Sequence, residues 1–210
     1  MLEEANTERA DLPSDRRAAR TQATKDEILE AAWELVRKHG LAALSLRELA
    51  ARVGMRAPSL YQYFPSKLAI YDAMFGQASR AALDAMNGDL PADRHEAMRT
   101  VAHRVFDFAT SDPVRAQLLF QRTIPDFEPS PESYAPSVEM SARLGDVLAE
   151  YGFDDPDAAD LWTALVGGLI AQQLANDPGG TRWARLIDRT ADMFVDRMGP
   201  RNRAPRKKGK

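Results

Sequence analysis

Helix boundaries are written into this chain most densely between Thr24 and Lys67, and they leave little room for another secondary structure. Thr24 with Glu27, and Ser45 with Glu48, each read as a capping box, in which a hydroxyl accepts the N–H three residues on and the glutamate returns the bond. From Thr24 an apolar face runs through Ile28, Leu29, Ala32, Leu35 and Val36 to a stop at Gly40. From Ser45 a shorter helix runs through Leu46, Leu49, Ala50 and Val53 to Gly54. A third starts near Ala57 and Pro58, where a first-turn proline costs no helical hydrogen bond, and ends at Phe64-Pro65. Ser66 caps a fourth, longer helix toward Ala85.

Helical periodicity also dominates beyond Gly88, and no period-2 run appears. Helices are expected at about 92–110, 113–122, 138–151, 156–176 and 181–198. Thr123 to Ser137 contains Pro125, Pro129, Pro131 and Pro136 and reads as a loop, and Asp177–Gly180 as a turn. The fold class is therefore all-α with about nine helices. The expected organisation is a flexible arm (1–20), a three-helix unit (21–68), a larger helical domain (69–198) and a disordered basic tail (199–210).

Charge follows the same divisions. The total is −3, from 28 Lys plus Arg against 31 Asp plus Glu. Residues 14–68 hold ten bases and six acids, net +4, whereas residues 69–198 hold eleven bases and twenty-one acids, net −10. Residues 1–13 are net −3 and the last twelve are net +6. The acidic total thus conceals a basic module, and such asymmetry points to a nucleic-acid footprint confined to one part of the chain. With 0 Cys, disulfides, thiolate metal sites and cysteine nucleophiles are excluded. No apolar signal region opens the chain, and the most apolar run, Ala164 to Ala171, is far short of the roughly 18–20 residues a membrane span needs. A cytoplasmic protein without membrane partners is expected.

The segment L-S-L-R-E-L-A-A-R-V-G-M-R-A-P-S-L-Y-Q-Y-F-P-S-K, Leu44 to Lys67, has the physics of two helices crossing through a tight turn. Ala50 must be small because the next helix crosses close to it, and Gly54 makes the turn. Leu60 and Phe64, four apart, anchor one face of the third helix. Arg56, Ser59, Gln62 and Tyr63 occupy the other, as groups able to bond phosphates or base edges.

These residues resemble the TetR family of transcriptional regulators. The likeness rests on the Ile28–Ala32–Leu35–Gly40 helix, on Leu46-x-x-Leu49-Ala50-x-x-Val53-Gly54, and above all on Pro58-Ser59-Leu60-Tyr61-x-Tyr63-Phe64-x-x-Lys67. It covers about residues 20–72. The resemblance implies a homodimer that sets two recognition helices in adjacent major grooves of a double-stranded operator, with half-sites roughly 34–36 Å apart. It places Pro58 and Ser59 at the start of the recognition helix, Tyr61 and Tyr63 on phosphate or base, Lys67 on phosphate and Arg47 within reach of DNA. Arg56 and Ala57 fall at variable positions. Gln62 is a candidate adenine reader. Arg16, Arg17 and Arg20 are candidates for an arm on phosphates or in the minor groove, against a merely solvated arm.

The acidic part is expected to hold a pocket for an unknown small effector and the dimer interface. Candidate pocket residues are Phe106, Leu119, Phe120, Phe127, Tyr134, Met140, Leu144, Trp162 and Leu165, each with plain core as its alternative. The helix over 156–176 is apolar nearly all round, hence buried on two sides. Val166, Gly167, Leu169, Ile170 and Gln173 from it, with Trp183, Leu186, Ile187, Thr190 and Phe194 from the last helix, are the candidate interface. Gly167-Gly168 would suit close helix approach.

Little points to chemistry. His95 and His103, two turns apart with Arg99 between them, are poorly placed to share a metal. There is no H-E-x-x-H, P-loop or G-x-G-x-x-G, so no cofactor, metal or catalytic residue is expected. The reading is a ligand-responsive regulator, a repressor released by an apolar or amphipathic effector. The rivals are a helical enzyme and an interaction scaffold that does not bind DNA.

Overall fold

The computed structural model of the protein describes residues 13–199. Residues 1–12 of the expected arm and residues 200–210 of the expected tail lie outside the described residues. Among the described residues there are nine α-helices, two short 3₁₀ segments and no strand. Packing divides the chain into two compact units, one ending at Met74 and the other starting at Phe75, whereas the sequence pattern places the boundary at 68/69.

The first unit contains α1 (Pro13–His39), a 3₁₀ turn (Leu41–Ala43), α2 (Leu46–Arg52), α3 (Ala57–Leu60) and the first turns of α4 (Lys67–Ala85). Ile28, Ala32, Leu35 and Val36 of α1, Leu49 and Ala50 of α2, and Leu60 and Phe64 beyond them are all buried. Ser45 caps α2 by accepting from the Glu48 N–H. Gly54 has φ 68°, a left-handed conformation that lets the chain reverse between α2 and α3. The buried Tyr71 hydroxyl donates to the Leu41 carbonyl and ties α4 to the 3₁₀ turn. Burial pushes its phenol pKa up.

Two features depart from the sequence reading. α1 begins at Pro13, well before the Thr24–Glu27 box. Thr24 lies inside the helix, and its hydroxyl donates back to the Arg20 carbonyl at 3.0 Å, as Thr21 does to Arg17 at 3.0 Å. No Gly or Pro interrupts residues 14–39, and Arg and Ala favour helix, so the helix runs through its expected cap. Regular α3 ends at Leu60, four residues short of Phe64. The chain then tightens into turns, with Gln62 N–H on Ser59 O and Tyr63 N–H on Leu60 O.

The second unit holds the rest of α4, then α5 (Arg94–Ser111), α6 (Pro113–Phe120), α7 (Pro131–Glu150), α8 (Ala158–Asn176), a 3₁₀ turn (Ala184–Leu186) and α9 (Ile187–Met198). Asp93 caps α5 by accepting from the His95 and Glu96 N–H groups. Its core joins Met98, Val101 and Phe106 of α5 to Trp162, Val166 and Ile170 of α8 and Ile187 and Phe194 of α9. The Phe194 ring lies 5.0 Å from Trp162 and 5.2 Å from Phe153, centroid to centroid.

The expected loop 123–137 is helical from Pro131. Ser130 caps α7 and Pro131 takes its first position, where a missing N–H costs nothing. Pro136 sits inside the helix and is buried, so packing offsets the lost bond to the preceding turn. The last helix starts at Ile187, six residues later than expected, because residues 181–186 form a turn and the 3₁₀ segment.

Candidate nucleic-acid interface and ligand cavity

In the first unit, the buried Leu60 and Phe64 fix which side of the α3 segment faces solvent. Arg47, Arg56, Pro58, Tyr61 and Gln62 are exposed; Ala57, Ser59, Tyr63 and Lys67 are half-buried. Tyr61 stands out, since half of its surface (51%) is open, a high value for an aromatic ring. The Lys67 ammonium donates to the Ala42 carbonyl at 3.2 Å and lies over the Tyr71 ring, 5.6 Å from its centroid. That fixes the head of α4 and leaves two of its three N–H donors for another acceptor. Arg52, by contrast, is paired with Glu34 of α1 and its charge is locally answered. Arg16, Arg17 and Arg20 are exposed on the first turns of α1, a helical and not an extended presentation.

The second unit encloses a cavity of about 450 Å³. Val101, Val105 and Phe108 of α5, Phe120 of α6, Met140, Leu144 and Val147 of α7, and Trp162, Val166 and Ile170 of α8 make its apolar wall. This size and character suit a small organic molecule.

A sequence profile described as bacterial regulatory proteins, tetR family, matches residues 28–74. Residues 28–74, the helix-turn-helix and the start of α4, thus match this family's DNA-binding segment. The chain is similar to the tetracycline repressor protein class A from transposon 1721 of Escherichia coli, 26% identical over 169 residues, covering 77% of this chain and 73% of that one. It is also similar to the transcriptional activator FasR of Mycolicibacterium smegmatis, 30% identical over 112 residues. That match takes in 52% of this chain and about half (48%) of FasR. The crystal structure of SCO4313 has the same fold, with a TM-score of 0.73 at 23% identity, over 86% of this chain and 98% of that one. The matched segment is the helix-turn-helix of DNA-binding transcriptional regulators.

Of the nine residues expected at the pocket, the cavity takes Phe120, Met140, Leu144 and Trp162. Phe106 is instead sealed in the core, and Leu119 is half-buried off the cavity wall. Phe127 and Tyr134 pack with Phe75, at centroid distances of 6.2 Å each, and Leu165 is exposed on α8. Arg104, Val101, Val105 and Phe108 line it without having been singled out. Their 101–105–108 spacing on one face of α5 was the signal available.

The expected interface residues divide in a similar way. Val166, Ile170, Ile187 and Phe194 are buried within the unit's own core, and Val166, Gly167 and Ile170 border the cavity. Gln173 is buried too. Its amide donates to the Asp177 and Gly180 carbonyls and accepts from the Trp183 and Ala184 N–H groups, so it pins the α8–α9 connection. Leu169, Trp183, Leu186 and Thr190 are half-buried. The apolar side of α8 that remains open is Leu161, Ala164, Leu165 and Gly168. An all-round apolar helix gives no sequence clue to which stripe its own unit will cover.

His95, Arg99 and His103 share one face of α5, and each meets an aspartate of α9: Asp196 at 3.2 Å, Asp192 at 2.7 Å and Asp188 at 2.7 Å. The Arg99–Asp192 pair is bidentate. Hydrogen bonding from Arg99 holds the Asp192 carboxyl below its usual range. No group of three or more His, Asp or Glu side chains among the described residues is arranged to hold a metal. No helix among them is long and apolar enough to cross a membrane.

Proposed function

We propose that this TetR-family regulator is a homodimeric repressor, released from a palindromic operator by a small apolar or amphipathic effector bound in the α5–α8 cavity. The observation that carries this reading is the joint presence of a helix-turn-helix with an exposed polar face and a roomy apolar cavity in one chain. In this reading Tyr61, Gln62 and Arg56 meet the major groove, Tyr63, Lys67 and Arg47 hold phosphates, and Arg16, Arg17 and Arg20 add backbone contacts from α1. The protein acts in the cytoplasm, as a binder and not an enzyme.

Two copies meet, we infer, through the open side of α8, where Leu161 and Leu165 are 44% and 40% exposed. A Cβ added at Gly168 would touch nothing within 4 Å inside the protomer. The glycine costs helix stability, about 1 kcal/mol relative to Ala, which close approach of a partner helix would offset.

Fluorescence anisotropy with DNA from the protein's own upstream region, at several salt concentrations, tests the regulator reading. Steeply salt-dependent binding is expected. Tyr61→Ala with Lys67→Ala should lose DNA affinity at unchanged helicity and mass. If no small molecule that enters the cavity alters operator affinity, the release mechanism fails. A reporter gene reads the sign: expression should rise when the protein is deleted.

A further inference from the structure

Two of the residues that line the cavity are arginines held at one connection. These are Arg104 and Arg143, both tethered to the short connection between α4 and α5. Arg104 donates through Nη1 to the Met86 and Gly88 carbonyls, at 3.3 and 3.1 Å, and through Nη2 to the Asp89 carbonyl at 3.0 Å. The Arg143 Nη1 donates to the Asn87 side-chain oxygen. Gly88 has φ 108°, and a Cβ there would lie 3.1 Å from the Arg104 Nη2. The connection is thus shaped around the guanidinium.

None of these acceptors carries a charge. Arg104 and Arg143 have no carboxylate within ion-pair distance among the described residues, and the cavity lining contains no Asp, Glu, Lys or His at all. This is unexpected by composition, because acids outnumber bases twenty-one to eleven over residues 69–198. Elsewhere in the unit, Arg99 shows the alternative, a bidentate pair with Asp192. Two positive charges next to apolar walls, each with N–H donors to spare, form half of a charge-assisted bond. Arg104 retains its Nε–H and one Nη2–H, and Arg143 retains four donors.

We propose that the effector is an amphipathic monoanion, an apolar body with one carboxylate-type head. Its body lies against Val105, Phe108, Leu144 and Trp162, and its head sits between Arg104 and Arg143. This inference rests on the cavity being the effector site, and the test separates the two claims.

The probes are decanoate, decan-1-ol and decyltrimethylammonium, which share a chain and differ in head charge. Binding to the full-length protein is read by quenching of Trp162 fluorescence, checked with Trp162→Phe, and by calorimetry. Decanoate should bind about tenfold more tightly than decanol, ~1.4 kcal/mol, and the ammonium more weakly than either. Arg143→Gln should shrink the decanoate-to-decanol ratio toward one. Because Arg104 also holds the α4–α5 connection, Arg104→Lys serves in its place: the charge stays and the fork is lost, so the ratio should fall only in part. Equal binding of decanoate and decanol would overturn the anion claim and leave the cavity as an effector site. Tighter binding of the ammonium would also overturn it. Failure of all three probes to bind would remove both claims together.

Discussion

The two units are both helical, yet their helices are held by contacts of different reach. In the first unit the tertiary hydrogen bonds span short stretches of chain: Arg52 to Glu34 across 18 residues, Lys67 to Ala42 across 25, Tyr71 to Leu41 across 30. In the second, Arg99 reaches Asp192 across 93 residues and His103 reaches Asp188 across 85. Caps, a glycine turn and neighbouring helices suffice to present a reading face. A cavity needs walls from α5, α6, α7 and α8, and hence a core that closes late in the chain. The difference matches the two proposed tasks. A DNA reader presents a fixed surface, while an effector site must surround its ligand.

Core truncation tests the comparison hardest. Phe194→Ala removes the ring between Trp162 and Phe153 and should cost about 3–5 kcal/mol, confined to the second unit. Denaturation with single-tryptophan proteins reports each unit, since Trp33 lies in the first and Trp162 in the second. If the Trp33 transition shifts as much as the Trp162 transition, the units do not unfold separately. A smaller effect, in the opposite unit, is expected of Gly54→Ala. It forces a Cβ into the left-handed region at φ 68° and should cost about 1–2 kcal/mol. The Trp33 transition should move alone, with loss of DNA binding under conditions where the variant partly unfolds.

Ser45→Ala should cost about 1 kcal/mol by removing the α2 cap, with the same assignment to the first unit. A loss near zero in urea titration would mean that α2 is held by packing alone. The smallest effect concerns acid. Asp192 has its folded carboxyl pKa lowered by Arg99, so its contribution is present above the ordinary carboxylate range. It fades as pH falls through the lowered value. Asp192→Asn should therefore flatten the stability loss of the second unit between about pH 5 and about pH 3, without affecting the first. An unchanged acid slope would show that the pair adds nothing measurable, as is common for exposed pairs.

Sequence by itself determined the helical class, the Ser45 cap, the turn at Gly54 and the buried pair Leu60 and Phe64, and with them the exposed side of the reading segment. All of these are local: a cap, a left-handed turn or an i,i+4 stripe is decided by residues a few positions apart. Local signals also misled where the surroundings prevailed. Thr24 has the chemistry of a cap, but a longer run of good helix formers absorbed it. Pro131 and Pro136 read as loop, but one fell on a helix's first turn and the other was packed into its side. Tertiary structure alone decided that Phe106 fills the core while Phe120 borders the cavity, and that Val166 faces inward while Leu165 faces out. It also brought Arg104 and Arg143, 39 positions apart in the chain, to the same connection, with no acid among the described residues to answer them. The hydrophobic effect rewards burial without specifying the partner, so an apolar residue's pattern says that it will be covered and not by what.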